Sequence, residues 1–60
     1  MTTTNLLTVN FKDGDTIERI IVGNVIEDSV GYIQYIILGG VDYNYIHKSF
    51  IKNYTVEPWE

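Results

Sequence analysis

Five glycines divide this chain of 60 residues into short runs of β-branched and aromatic residues, and that division constrains the fold more than any other feature. Asp13-Gly14 and Gly39-Gly40 mark turns, because glycine accepts the positive φ that tight hairpin turns require. Ile, Val, Thr and Tyr dominate the runs between them, and these side chains suit a pleated sheet better than a helix. The sequence therefore predicts one all-β domain over residues 1–60.

The first two predicted strands flank the turn Asp13-Gly14-Asp15. Residues Thr3 to Lys12 alternate between apolar and polar, which is typical of a strand with one buried face, here Leu7, Val9 and Phe11. Thr16 to Asp28 forms a longer second strand. Gly23 interrupts that strand, and a glycine inside a strand often marks a bulge or a sharp bend. We therefore expect the second strand to bend at Gly23 and to serve two parts of the core.

The third and fourth predicted strands, Tyr32 to Leu38 and Val41 to Ile46, form a tight hairpin around Gly39-Gly40. The turn pairs Leu38 with Val41, Ile36 with Tyr43, and Gln34 with Tyr45. Because side chains alternate across a strand, the hairpin has two definable faces. One face carries Tyr32, Gln34, Ile36, Leu38, Val41, Tyr43 and Tyr45. The other carries Ile33, Tyr35, Ile37, Asp42, Asn44 and Ile46.

Both faces of this hairpin carry large apolar or aromatic groups, and a domain this small cannot bury both within itself. One face must pack in the core, and we expect the other to contact another protein surface. Tyrosine is enriched at protein interfaces, where its ring is buried and its hydroxyl finds a partner. The predicted protein-interface residues are Tyr32, Tyr35, Ile36, Tyr43 and Tyr45. The pattern leaves open which face is the core, and also whether the tyrosines only cover the outside of a barrel.

The stretch YIHKSFIKNYTV, residues 45–56, predicts one short helical turn near 47–53 before a last strand from Tyr54 to Trp59. Pro58 restricts that strand to an edge or an end. The bent second strand and the single turn before the last strand resemble the small barrels of the SH3-like and Sm-like families. That resemblance implies a five-stranded barrel whose core includes Ile46, Phe50 or Ile51, and Val56. An antiparallel meander closed by dimerisation is the alternative architecture.

The composition limits how so small a domain is stabilised. The chain has no cysteine and one histidine, His47, so disulfides and thiolate or multi-histidine metal sites within one chain are excluded. We expect no cofactor and no metal ion. Stability must then come from packing or from association, and a two-fold homodimer is the simplest association.

The net charge of −4, from four basic and eight acidic residues, opposes non-specific binding to nucleic acid. It favours a protein partner with a basic or aromatic-accepting surface. A small barrel that binds nucleic acid by stacking bases on exposed tyrosines is the alternative function. The basic residues, however, are scattered along the chain as Lys12, Arg19, Lys48 and Lys52.

No pattern in the chain predicts catalysis, and we expect a protein that is not an enzyme. His47 would need a nucleophile or an orienting carboxylate beside it, and the sequence does not show that Ser49 and Asp42 converge on it. The acidic pair Glu27-Asp28 is typical of a solvated turn, where it is also placed to meet an arginine on a partner.

The small size, acidity and tyrosine content of the whole chain resemble the short inhibitors that bacteriophages encode against host defence systems. These include the anti-CRISPR, anti-restriction and anti-Hachiman types. The resemblance implies a protein that inhibits a host or defence protein by direct binding, as a homodimer.

The N-terminal stretch MTTTNLLTVNF lacks the basic segment and the long apolar run of a signal peptide. The longest uninterrupted apolar run, Tyr35 to Leu38, is far too short for a membrane helix. We therefore expect a cytoplasmic protein without membrane contact, located in the host cytoplasm if it is encoded by a phage.

Overall fold

A computed structural model describes residues 3–59 as one antiparallel sheet and a single helical turn. The strands are β1 (Thr4–Phe11), β2 (Thr16–Glu27), β3 (Tyr32–Ile37), β4 (Asn44–His47) and β5 (Ile51–Pro58). Their order in the sheet is β4-β3-β2-β1-β5, and a one-turn 3₁₀ helix, η1 (Lys48–Phe50), joins β4 to β5. The predicted all-β class, strand number and helical turn are confirmed. The sheet is open, with β4 and β5 at its two ends.

β2 bends at Gly23, as the sequence predicted. Gly23 has a φ of 68°, and the register between β2 and β3 shifts between Val22 and Ile26. The backbone of Gly23 is held on both sides: its N–H donates to the Thr3 carbonyl at 2.6 Å, and its carbonyl accepts from Asn5 Nδ2 at 2.6 Å. The first part of β2 therefore pairs fully with β1, whereas the part beyond the bulge pairs only with β3.

One buried cluster forms the core on the inner side of the sheet. Its members are Leu7, Val9, Ile21, Ile33, Tyr35 and Ile51. The predicted inner face of β1 is confirmed, with Leu7 and Val9 fully buried. Phe50, which the sequence also placed in the core, is 65% exposed. Adjacent residues entering a strand point to opposite sides, so only one of Phe50 and Ile51 reaches the core.

The predicted extent of the fourth strand is wrong: β4 begins at Asn44 and not at Val41. Of the three predicted pairs, Gln34 opposite Tyr45 is confirmed, whereas Ile36 with Tyr43 and Leu38 with Val41 do not pair. The Leu38 N–H donates to the Ile20 carbonyl at 2.9 Å, so the backbone of Leu38 faces β2. A two-residue turn would need the Leu38 carbonyl to face Val41 instead. Residues 38–43 therefore form a longer loop, which begins with a turn in which the Gly40 N–H donates to the Ile37 carbonyl at 2.8 Å.

Within residues 3–59, no helix has the length and apolar character needed to cross a membrane.

Candidate protein-interaction surface

The structure separates the five predicted interface residues onto the two faces of the β3–β4 hairpin. Tyr35 is 6% exposed and belongs to the core, together with Ile33 on the same side of β3. Tyr32 and Tyr45 are exposed on the opposite side, and Ile36 is half-buried there. Tyr43 is exposed directly before β4. Four of the five residues are thus available for contact, and Tyr35 is not.

The outward side of β3, β4 and the end of β2 forms a continuous surface, which we call the outer aromatic face. The registers place Ile26, Gln34 and Tyr45 in one row across three strands. Tyr32 lies opposite His47, and Ile36 lies opposite Val22. The outer aromatic face thus consists of Val22, Ile26, Tyr32, Gln34, Ile36, Tyr45 and His47.

Sequence reasoning missed Val22, Ile26 and His47 as members of this face. Ile26 lies beyond the bulge at Gly23 and faces the same side as Val22, because the register shift between them inserts two residues in β2 and so keeps the alternation. The sequence assigned Val25 to Ile26 to a second part of the core, and the 50% exposure of Ile26 contradicts that assignment. His47 was excluded because the predicted strand ended at Ile46.

Three ring contacts connect the aromatic residues of this region. Tyr32 is central: its ring centroid lies 4.8 Å from that of His47 and 6.4 Å from that of Tyr45. The Phe50 ring extends the row, with its centroid 6.5 Å from His47. All three pairs are edge-to-face, the arrangement that the quadrupoles of aromatic rings favour. The rings therefore orient one another while Tyr45 and Phe50 remain mostly exposed.

His47 has a structural task at the start of η1. Its Nδ1 accepts a hydrogen bond from the Ser49 N–H at 3.1 Å and lies 2.7 Å from Ser49 Oγ. Its ring also covers Gly31, where an added Cβ would lie 3.2 Å from Nε2. The histidine and serine do meet, but the contact caps a helical turn. Among the hydrogen bonds of residues 3–59, none joins Asp42 to His47.

Asp28 fixes the turn that leads into β3 at one end of the outer aromatic face. Its Oδ1 accepts from the N–H groups of Val30 at 3.0 Å and Tyr32 at 2.9 Å, and its Oδ2 accepts from Gln34 Nε2 at 3.0 Å. The hydrogen bond from the Tyr32 backbone, supported by that from Gln34, lowers the pKa of Asp28. An ionised carboxylate is therefore held beside Tyr32 and Gln34.

Glu27 points away from Asp28 and serves a different contact. Its carboxylate pairs with Lys48 Nζ and accepts a 2.6 Å hydrogen bond from the Tyr54 hydroxyl. The hydrogen bond to Lys48, followed by that from Tyr54, lowers the pKa of Glu27. The two neighbouring acids thus act separately. In the part of the chain that the structure describes, no three His, Asp or Glu side chains converge as a metal site would require.

The charges around the outer aromatic face have one sign. No Lys or Arg occupies a position of that face in the described registers. Lys48, the basic residue next to it in sequence, is paired with Glu27. Asp28 lies at one end of the face, and the exposed Asp42 lies in the 38–43 loop at the other. The surface therefore combines apolar and aromatic groups with an acidic border.

Comparison of the chain with protein-family models, with curated proteins and with solved structures finds no match.

Proposed function

We propose that this chain is a non-enzymatic protein-binding module that binds a partner protein through the outer aromatic face. One observation carries the proposal: within residues 3–59, nine large hydrophobic side chains are exposed, against six hydrophobic residues in the buried core. Three of the nine, Tyr45, Tyr32 and Ile26, lie on the outer aromatic face. Soluble monomers rarely expose contiguous apolar patches beyond a few hundred Å² unless the patch binds something.

The acidic border of the face favours a partner with Lys or Arg around an apolar contact surface. Asp28 and Asp42 supply negative charge at the two ends of the face, and the whole chain carries a net charge of −4. Complementary charge raises the rate of encounter and suppresses wrong partners, while buried aromatic anchors supply most of the affinity. Tyr32 and Tyr45 are the anchors that we assign.

A module of this kind acts on its target by occupying part of the target's surface. That is also what the resemblance in size and composition to phage-encoded inhibitors implies. We therefore include in the proposal that the partner is a host or defence protein and that binding inhibits it.

Affinity capture with matched variants tests the proposal. The bait is the wild-type chain, the double variant Tyr32→Ser/Tyr45→Ser, or the control Asn53→Ala/Thr55→Ala. The control changes two exposed positions on β5, which lie on the same side of the sheet but at its other end. We expect the wild type and the control to retain one stoichiometric protein that the double variant loses, with all three folded by circular dichroism. Equal capture by the double variant, or recovery of nucleic acid alone, would contradict the proposal.

A further inference from the structure

β4 lies at one end of the sheet and, although its four residues make a short edge, it carries neither Lys nor Pro, the residues that often protect an edge. Soluble proteins commonly place Lys or Pro on edge strands so that they do not pair with another chain. The opposite edge strand, β5, contains Lys52 and ends at Pro58, which has no N–H. β4 has the sequence NYIH and contains neither. We propose that the β4 edges of two copies of this chain pair antiparallel about a two-fold axis and form one continuous sheet.

The hydrogen-bond pattern shows which backbone groups of β4 are available. The Lys48 N–H donates to the Gly31 carbonyl at 2.8 Å. Hydrogen-bonded and non-hydrogen-bonded pairs alternate along an antiparallel ladder, so the backbone groups of Ile46 also point toward β3. The N–H and C=O of Tyr45 and the N–H of His47 therefore point to the free edge.

One antiparallel register uses these groups best, with Tyr45 opposite Tyr45 of the second copy. In this register Tyr45 both donates and accepts across the axis, and the His47 N–H meets the Tyr43 carbonyl of the second copy. The His47 carbonyl stays with η1, as expected of the residue that caps a helical turn. Asp42 and Lys48 lie just outside the paired segment, in the loop before β4 and at the start of η1, so the same register brings Asp42 toward Lys48 of the second copy, which also pairs with Glu27 of its own chain.

Edge pairing also agrees with the charges better than contact between two outer aromatic faces. Face-to-face contact would bring Asp28 and Asp42 toward their copies across a surface without Lys or Arg, and like charges in an interface are unfavourable. Edge pairing instead sets the two outer aromatic faces side by side and leaves both exposed. The homodimer expected from the sequence then has a defined geometry in which the partner-binding surface is doubled.

Sedimentation equilibrium of the protein alone tests the pairing. We expect the wild type to form dimers at micromolar concentration. Tyr45→Pro removes the N–H at the axis without removing a bond to β3, and should weaken dimerisation on the order of tenfold or more. Tyr45→Thr keeps that N–H and should retain the dimer, which separates backbone pairing from loss of the ring. A monomeric wild type, or equal effects of the two folded variants, would overturn the proposal.

Cysteine cross-linking tests the register and does not depend on the proline variant. The chain has no cysteine of its own. Asp42→Cys and Lys48→Cys should form a disulfide-linked heterodimer when mixed under mild oxidation, whereas each variant alone should stay uncross-linked. Cross-linking of either variant with itself as fast as in the mixture would overturn the register. Both experiments use the protein alone, so their failure is distinguishable from failure of the partner binding proposed above.

Discussion

The Tyr54 hydroxyl donates a 2.6 Å hydrogen bond to the Glu27 carboxylate and thereby joins β5 to the end of β2. These two strands are not neighbours in the sheet. Lys48 of η1 pairs with the same carboxylate. One acidic side chain therefore links three elements that no backbone ladder connects.

The Tyr54 contact predicts a loss of stability in alkaline solution. The hydrogen bond to Glu27, with burial as a smaller cause, raises the pKa of Tyr54 from 10.0 to about 12. A raised pKa in the folded state means that the stabilising contribution is complete below pH 10 and is lost as the pH rises toward about 12. We expect thermal melts of the wild type to lose more stability over this range than those of Tyr54→Phe.

An ultraviolet titration of tyrosinate checks the assignment. One tyrosine of the wild type should ionise near pH 12, and Tyr54→Phe should remove that step. The variant is needed because burial also raises the pKa of Tyr35. If the titration of Tyr54→Phe keeps the late ionisation step of the wild type, the hydrogen bond is absent in solution.

Tyr35 and Tyr45 lie in one hairpin, and replacing each with alanine should change the stability of the fold by very different amounts. Tyr35 is 6% exposed and Tyr45 is 58% exposed. Tyr35→Ala should destabilise the fold by about 3–5 kcal/mol, the range for truncating a large aromatic core residue. Tyr45→Ala should change stability by no more than about 0.5 kcal/mol, as expected for an exposed position. Urea denaturation at low protein concentration measures both, and similar losses would mean that the two faces are assigned incorrectly.

Substitution of Gly23 should lower the free energy of unfolding through the backbone conformation alone. An added Cβ would meet nothing within 4 Å, but φ is 68°, in the left-handed region. Gly23→Val should therefore cost about 1–2 kcal/mol in the free energy of unfolding. Gly23→Asn serves as the control, because asparagine tolerates this conformation, and it should lose clearly less. Equal chemical denaturation midpoints for the valine variant and the wild type would show that the bulge relaxes to ordinary β geometry.

The charge distribution predicts that the protein does not bind nucleic acid. The chain has a net charge of −4, and the outer aromatic face carries no Lys or Arg in the described registers. Mobility-shift assays at physiological salt should show no complex with duplex DNA or unstructured RNA. Submicromolar binding that weakens steeply with salt would mean that phosphates find enough cations elsewhere on the surface.

The sequence by itself determined the features that depend on local chemistry. The alternation in β1 identified Leu7 and Val9 as core residues, because side chains two apart share a face. The isolated Gly23 identified the bulge, because a residue without Cβ adopts that φ more readily than any other. The opposition of Gln34 and Tyr45 agrees with the expected register, although the two-residue turn from which that register was derived does not form.

Only the tertiary structure decided which face of the hairpin is buried. Tyr35 and Tyr45 are the same residue type in similar sequence surroundings. Their burial differs because Tyr35 lies on the inner side of β3, which shares the core with Leu7 and Ile21. Pairing with β2 likewise prevented the expected tight turn. The Leu38 N–H donates to the Ile20 carbonyl, so the backbone of Leu38 faces β2 and not Val41. Local patterns specify alternation, but they do not specify which side other strands cover. That choice is made by contacts between residues far apart in the chain.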